Sequence, residues 1–144
     1  MLALVLSTLL LLTSWYGPGF HGNTTANGEA YDQYAYTAAH RTLPFDSYLL
    51  VEYGENSIVV RINDRGPYCF EALSRGTLAP HPSRDLDLSK ASFEALAPVS
   101  KGLLEVQTWI LPEHLEVRGG EVIPPPPYVP PPKERGSEDE DTWY

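Results

Sequence analysis

The sequence holds a single cysteine in 144 residues, so Cys69 has no intramolecular partner and a disulfide framework is excluded. Basic residues are also scarce: ten stand against nineteen acids, for a formal charge of −9. Affinity for nucleic acid comes mainly from neutralised phosphates, so this balance argues against nucleic acid as a partner. There is no H-E-x-x-H run and no cysteine pair, and His21, His40, His81 and His114 have no metal-ligand spacing. No metal site is expected. The glycines around Pro18 precede no helix signal, so they do not form a phosphate or dinucleotide loop. The one long apolar run, residues 1–12, is short for a bilayer span. No Lys or Arg precedes it, no small-x-small site separates it from Ser14, and no nearby cysteine could carry a lipid. It reads as an abbreviated export signal, a misplaced or truncated start, or an apolar first strand, and these alternatives stay open.

Fourteen prolines and eleven glycines argue against a helical bundle and for a β-rich chain. Composition divides the chain into an apolar segment (1–13), a domain (14–111) and a tail (112–144). Seven of the nine residues from Pro124 to Pro132 are proline, and Lys133 to Tyr144 carries five acids against two bases, so the tail is expected to be extended and disordered. Within the domain the apolar period is mostly two. Tyr48–Tyr53 and Ser57–Ile62 read as a hairpin with a three-residue loop, Gly54-Glu55-Asn56. Ser89 is a natural N-cap for a short helix from Lys90 to Leu96, stopped before Pro98. Leu103–Leu111 reads as a last strand. The expectation is a mainly β domain with one short helix.

The densest chemistry lies in Arg61-Ile62-Asn63-Asp64-Arg65-Gly66-Pro67. Ile58, Val60 and Ile62 share one strand face, and parity carries Asp64 onto it. A carboxyl there loses hydration, which raises its pKa and suits it to proton donation. Alternatively, an Asp before a Gly-Pro turn simply caps the turn. His40 follows small residues that would let a ligand approach, although a lone His is more often a structural group. Glu29 follows the turn pair Asn27-Gly28 and reads as a solvated loop acid. Asp85 and Asp87 precede the helix, where acids favour the dipole, so capping is expected before catalysis. Trp15, Tyr16, Phe20, Tyr31, Tyr34 and Tyr36 could face sugar rings or fill a core.

Five segments in order carry a resemblance. They are Ser14-Trp15-Tyr16-Gly17-Pro18-Gly19-Phe20-His21-Gly22, Thr25-Ala26-Asn27-Gly28-Glu29, Thr37-Ala38-Ala39-His40-Arg41-Thr42-Leu43-Pro44-Phe45, Val59-Val60-Arg61-Ile62-Asn63-Asp64-Arg65-Gly66-Pro67 and Asp87-Leu88-Ser89. Together they resemble the RlpA-like double-psi β-barrel proteins of the bacterial cell envelope, over about residues 14–111. The chain departs from the family pattern at Asp46-Ser47, where Gly-Thr is usual, in the short Gly54 loop, and in an extended stretch from Tyr68 to Leu86.

The resemblance implies a six-stranded double-psi β-barrel, a fold shared with expansins. It implies an endolytic lytic transglycosylase that cuts peptidoglycan between N-acetylmuramic acid and N-acetylglucosamine, leaving a 1,6-anhydro end. Asp64, His40 and Glu29 take the catalytic positions, with Tyr16, Thr37, Asn63 and Asp87 lining the groove. No cofactor is implied. The partner expected is the peptidoglycan glycan strand, met by a monomer outside the cytoplasm, with peripheral association to the envelope. The alternatives are a non-catalytic, expansin-like wall-binding or wall-loosening module, and an envelope scaffold with an inert barrel.

Overall fold

The structure, a computed structural model, describes residues 8–69, 79–81, 83–113 and 115–123. In chain order its strands are β1 (Leu9–Trp15), β2 (Thr37–His40), β3 (Tyr48–Tyr53), β4 (Asn56–Asp64), β5 (Tyr68–Cys69), β6 (Ala79–Pro80), β7 (Leu86–Leu88), β8 (Leu104–Ile110), β9 (Glu116–Arg118) and β10 (Glu121–Ile123). One α-helix, α1 (Lys90–Leu96), lies between β7 and β8.

Six strands close into a barrel in the order β1-β7-β2-β4-β3-β8. Two of the contacts, β1 with β7 and β2 with β4, are parallel; the others are antiparallel. The period of two produces this closure. Leu49 and Val51, Ile58, Val60 and Ile62, Leu86 and Leu88, and Leu104 and Val106 all point inward and are buried. Burying such a side chain contributes about 1.5–3 kcal/mol. The helix adds Phe93 and Leu96 to the same core, and Trp15 packs on Phe93 with ring centroids 6.4 Å apart. Ser89 caps the helix as expected: its Oγ accepts from Ser92 N (3.3 Å) and donates to Ala35 O (2.6 Å).

The structure redraws several boundaries. Strand β1 starts at Leu9, and residues 9–13 pair with β8, so part of the apolar N-terminal segment is barrel wall. Residues 1–7 lie outside those described. The β3–β4 loop has two residues, because Tyr53 pairs with Asn56 and Gly54 takes a φ of 58°. Residues 116–123, grouped with the tail by their charge, form a hairpin instead. Its turn, Gly119-Gly120, has φ values of 59° and 79°. This hairpin rests against β4: Gly120 O accepts from Val59 N at 2.7 Å, and Val59 is buried on the face away from the core. Residues 124–144, and with them the expected proline-rich and acidic tail, lie outside the described residues. In the Tyr68–Leu86 stretch, β5 and β6 pair with each other.

A bulge interrupts the parity used to place Asp64. On β2 the neighbours Ala38 and Ala39 face Ile62 and Asp64, so Asn63 is the extra residue on β4. Asn63 takes the buried place at 3% exposure, and Asp64 emerges partly buried at the strand's end rather than on the core face.

Candidate active site

Four adjacent barrel strands, β1, β7, β2 and β4, carry or lead directly into Tyr16, Asp87, His40 and Asp64. The ladder places Asp87 opposite both Ser14 and Ala39, and Ala39 opposite Asp64. After β4 the chain leaves through Gly66, with a φ of 138°, and a cis Gly66–Pro67 bond.

Three donors meet the Asp64 carboxylate. Tyr16 Oη donates to Oδ2 at 2.8 Å, while the amides of Ala26 and Arg65 donate to Oδ1 at 2.9 and 2.8 Å. Burial and the neighbouring Asp64 and Asp87 charges raise the Tyr16 phenol well above its ordinary value, so it remains a proton donor. Its ring lies 4.5 Å from that of Tyr31 and 5.8 Å from exposed Phe20, making a partly open aromatic wall.

Asp87 belongs to strand β7, so it does not cap the helix. Ser14 Oγ donates to its Oδ1 at 2.9 Å and in turn accepts from Arg84 Nη1 at 2.8 Å. Burial pushes the Asp87 carboxyl up to about 6, opposed by Ser14 and Arg84 and reinforced by the Asp64 charge. Two carboxyls and a phenol thus form one electrostatic unit.

The His40 ring is anchored by backbone rather than by Asp64. Its Nδ1 accepts from the amides of Thr42 (3.1 Å) and Leu43 (3.0 Å), which puts the neutral ring's proton on Nε2. Burial, then the Arg41 and Arg65 charges, hold its pKa below the ordinary value. A neutral imidazole whose Nε2–H has no partner among the described residues is a hydrogen-bond donor, suited to an oxygen that gains negative charge. Arg65 stacks on Phe45, 3.8 Å from the ring centroid, and its Nη1 reaches His40 O at 3.3 Å.

Glu29 and Asn63 fall in a second cluster. Arg61 grips Glu29 with both terminal nitrogens at 2.7 Å, and its Nη1 also reaches Asp46 Oδ1 at 2.9 Å. Asn27 and Asn63 add amide donors to Glu29 at 2.9 and 3.3 Å. The Arg61 hydrogen bonds, foremost, hold the Glu29 carboxyl at about 2. Glu29 is therefore an anion at any working pH and carries no transferable proton. Thr37, at 6% exposure, pairs with Arg61 and lines a separate cavity of about 200 Å³ with Tyr36, Tyr48 and Gly120.

Sequence reasoning missed Arg61, the Ala26 amide and the Ser14–Arg84 pair. Arg61 had a signal: a lone cation in the apolar run from Ile58 to Ile62 requires a partner. Among the described residues no group of three or more His, Cys, Asp or Glu is arranged to hold a metal ion.

A closed six-stranded barrel with these two parallel crossings and one helix defines the class as a double-psi β-barrel. The profile of the family described as lytic transglycolase matches residues 9–108, and the chain belongs to that family. Similar curated proteins include the endolytic peptidoglycan transglycosylase RlpA of Neisseria meningitidis, 44% identical over 96 residues, covering 65% of this chain and 35% of that one. The RlpA of Vibrio cholerae is 43% identical over 100 residues, covering 68% and 34%. A probable RlpA of Synechocystis is 47% identical over 94 residues, covering 64% and 26%. The chain therefore spans about a third or less of the length of these relatives. Among solved structures, a Streptomyces papain inhibitor has a TM-score of 0.55 at 19% identity, covering 74% of this chain and 96% of that one. A Clavibacter michiganensis expansin in complex with cellohexaose has a TM-score of 0.55 at 15% identity, covering 74% and 52%. At those identities the two share the fold alone.

Proposed function

We propose that the protein is an endolytic lytic transglycosylase acting on the glycan strands of peptidoglycan outside the cytoplasm, as a monomer and without a cofactor. Asp64 acts as general acid and then general base. Its proton passes to the glycosidic oxygen as the bond from C1 of N-acetylmuramic acid breaks. The C6 hydroxyl of the same sugar attacks C1, and its proton returns to the Asp64 carboxylate. The proton account closes without water, leaving a 1,6-anhydro end and a free N-acetylglucosamine hydroxyl.

The observation that carries this reading is the Tyr16–Asp64 hydrogen bond with Asp87 close enough to act electrostatically on both groups, on strands adjacent to that of a neutral His40. Such reactions pass through an oxocarbenium-like centre at C1. An ionised Asp87 beneath the site stabilises that positive charge, and His40 Nε2–H and Tyr16 donate to oxygens that gain electrons. Glu29 contributes by position rather than by proton transfer. Family membership and the names of the curated relatives support the substrate class.

Purified glycan strands digested with the protein and analysed by mass spectrometry test the proposal. We expect anhydro-muramyl ends with the wild type, and a loss on the order of a thousandfold with Asp64→Asn, general acid–base catalysis being worth about 10²–10⁴-fold. Binding of the strands without any cleavage would replace the enzyme reading with that of a wall-binding module.

A further inference from the structure

Arg61 ties two loops to strand β4. Its guanidinium takes Glu29 bidentately from the 23–31 loop and Asp46 from the 44–47 turn. Both loops carry backbone hydrogen bonds of their own. The first is a small ladder: Thr24 bridges Ala30, Thr25 N donates to Glu29 O (2.7 Å), and Gly28, at a φ of 93°, donates to Thr25 O (3.0 Å). The Thr25–Glu29 and Gly28–Thr25 bonds close this loop around Ala26, so the grip on Glu29 bears on Ala26, whose amide meets Asp64 Oδ1 at 2.9 Å.

The second loop shows how this chain completes the grip. Asp46 sits at a φ of 65°, a left-handed conformation that favours glycine. The turn is pinned to β4 by Asp46 N to Ile62 O (2.8 Å) and Ile62 N to Ser47 O (2.9 Å). An aspartate in this strained place brings a second carboxylate to Arg61, at 2.9 Å. The strain and the extra ion pair therefore occur together, at the same residue.

We infer that Arg61, with Glu29 and Asp46, is a positioning clamp for the reaction at Asp64: it holds the 23–31 loop so that the Ala26 amide orients the Asp64 carboxylate. This rests on the transglycosylase reading of the same site. It makes Glu29 a residue that acts through Arg61 and Ala26 and does not touch the sugar. Bidentate guanidinium–carboxylate pairing supplies the directional hold that such a role requires.

The test compares wild type, Arg61→Gln, Glu29→Gln and the double variant, with Arg61→Lys as a conservative rescue. Steady-state kinetics on glycan strands are paired with amide hydrogen exchange of the intact chain. We expect each single variant to lose on the order of 10–100-fold in kcat with KM within about twofold, as for a misplaced catalytic group. The double variant should be no worse than either single one, and Arg61→Lys should recover part of the loss. In the same proteins Ala26 exchange should accelerate by on the order of tenfold while Val60 and Val106 in the barrel stay protected. Losses that multiply in the double variant, or an unchanged Ala26 amide, overturn the clamp. A wild type that cleaves no glycan removes the transglycosylase reading alone, because the exchange of Ala26 still decides whether the clamp exists. A general loss of protection in Arg61→Gln leaves the decision to Glu29→Gln, which is nearly isosteric.

Discussion

Asp87 on strand β7 and Glu29 on the 23–31 loop are shifted in opposite directions. Burial raises Asp87 from 3.8 to about 6, so the fold favours its protonated form. Below about pH 4 the group is protonated folded or unfolded and costs nothing. As pH rises toward 6 only the unfolded chain releases the proton, and the folded state loses stability. We therefore expect Asp87→Asn to stabilise the protein near pH 7.5 by up to about 3 kcal/mol, at 1.36 kcal/mol per pKa unit. The gain should vanish below about pH 4, as read by urea denaturation across pH. Activity should fall in the same variant, a trade of stability against function common at active sites. Glu29 behaves in the reverse sense. Its carboxyl is lowered from 4.5 to about 2 by Arg61, so its contribution is present above the ordinary value and is lost as pH falls toward 2.

Among the elements, the hairpin of β9 and β10 shows how packing depends on one missing side chain. Strand β4 is longer than its neighbour β2, and the Gly119-Gly120 turn covers the part of β4 that β2 does not reach. A Cβ on Gly120 would run into Ile58 Cδ1 and Tyr36 Cδ2, whereas one on Gly119 meets nothing. Both glycines have positive φ, so any substitution is strained, but only at position 120 is there also a collision. We expect Gly120→Ala to cost about 1–3 kcal/mol more than Gly119→Ala in urea denaturation, the usual cost of overpacking. Equal losses would mean that the Ile58 side chain swings clear of the turn. This element was hard to read because its strands are three residues long and half of their residues are charged, which looks like solvated tail. The glycine pair was the available signal. The bulge at Asn63 is hidden for a different reason: a period of two gives no sign of an inserted residue until the partner strand is known. By contrast, the β3–β4 hairpin, the helix capped by Ser89 and strand β8 could be read from local pattern alone, since each is set by neighbours in sequence.

For the whole molecule, closure of the barrel is what turns separated sequence segments into a site. Tyr16, His40, Asp64 and Asp87 lie on strands adjacent in space and scattered in sequence, so composition and spacing could nominate them but not gather them. The resemblance of five segments in order supplied the gathering. It could not distinguish the two carboxyls by their surroundings: Glu29 is held by Arg61, Asn27 and Asn63, whereas Asp64 accepts from Tyr16 and from the amides of Ala26 and Arg65. Arg61 stayed hidden because its partners, Glu29 and Asp46, come from two loops that lie 32 and 15 residues before it in the chain.

The central claim is that this site breaks a glycosidic bond without consuming water. It is tested most directly by digesting glycan strands in oxygen-labelled water and weighing the new muramyl ends. The account predicts ends lighter by one water than a hydrolysed sugar, carrying no label, and absent with Asp64→Asn. Labelled reducing ends would contradict it and mark the site as that of a hydrolase.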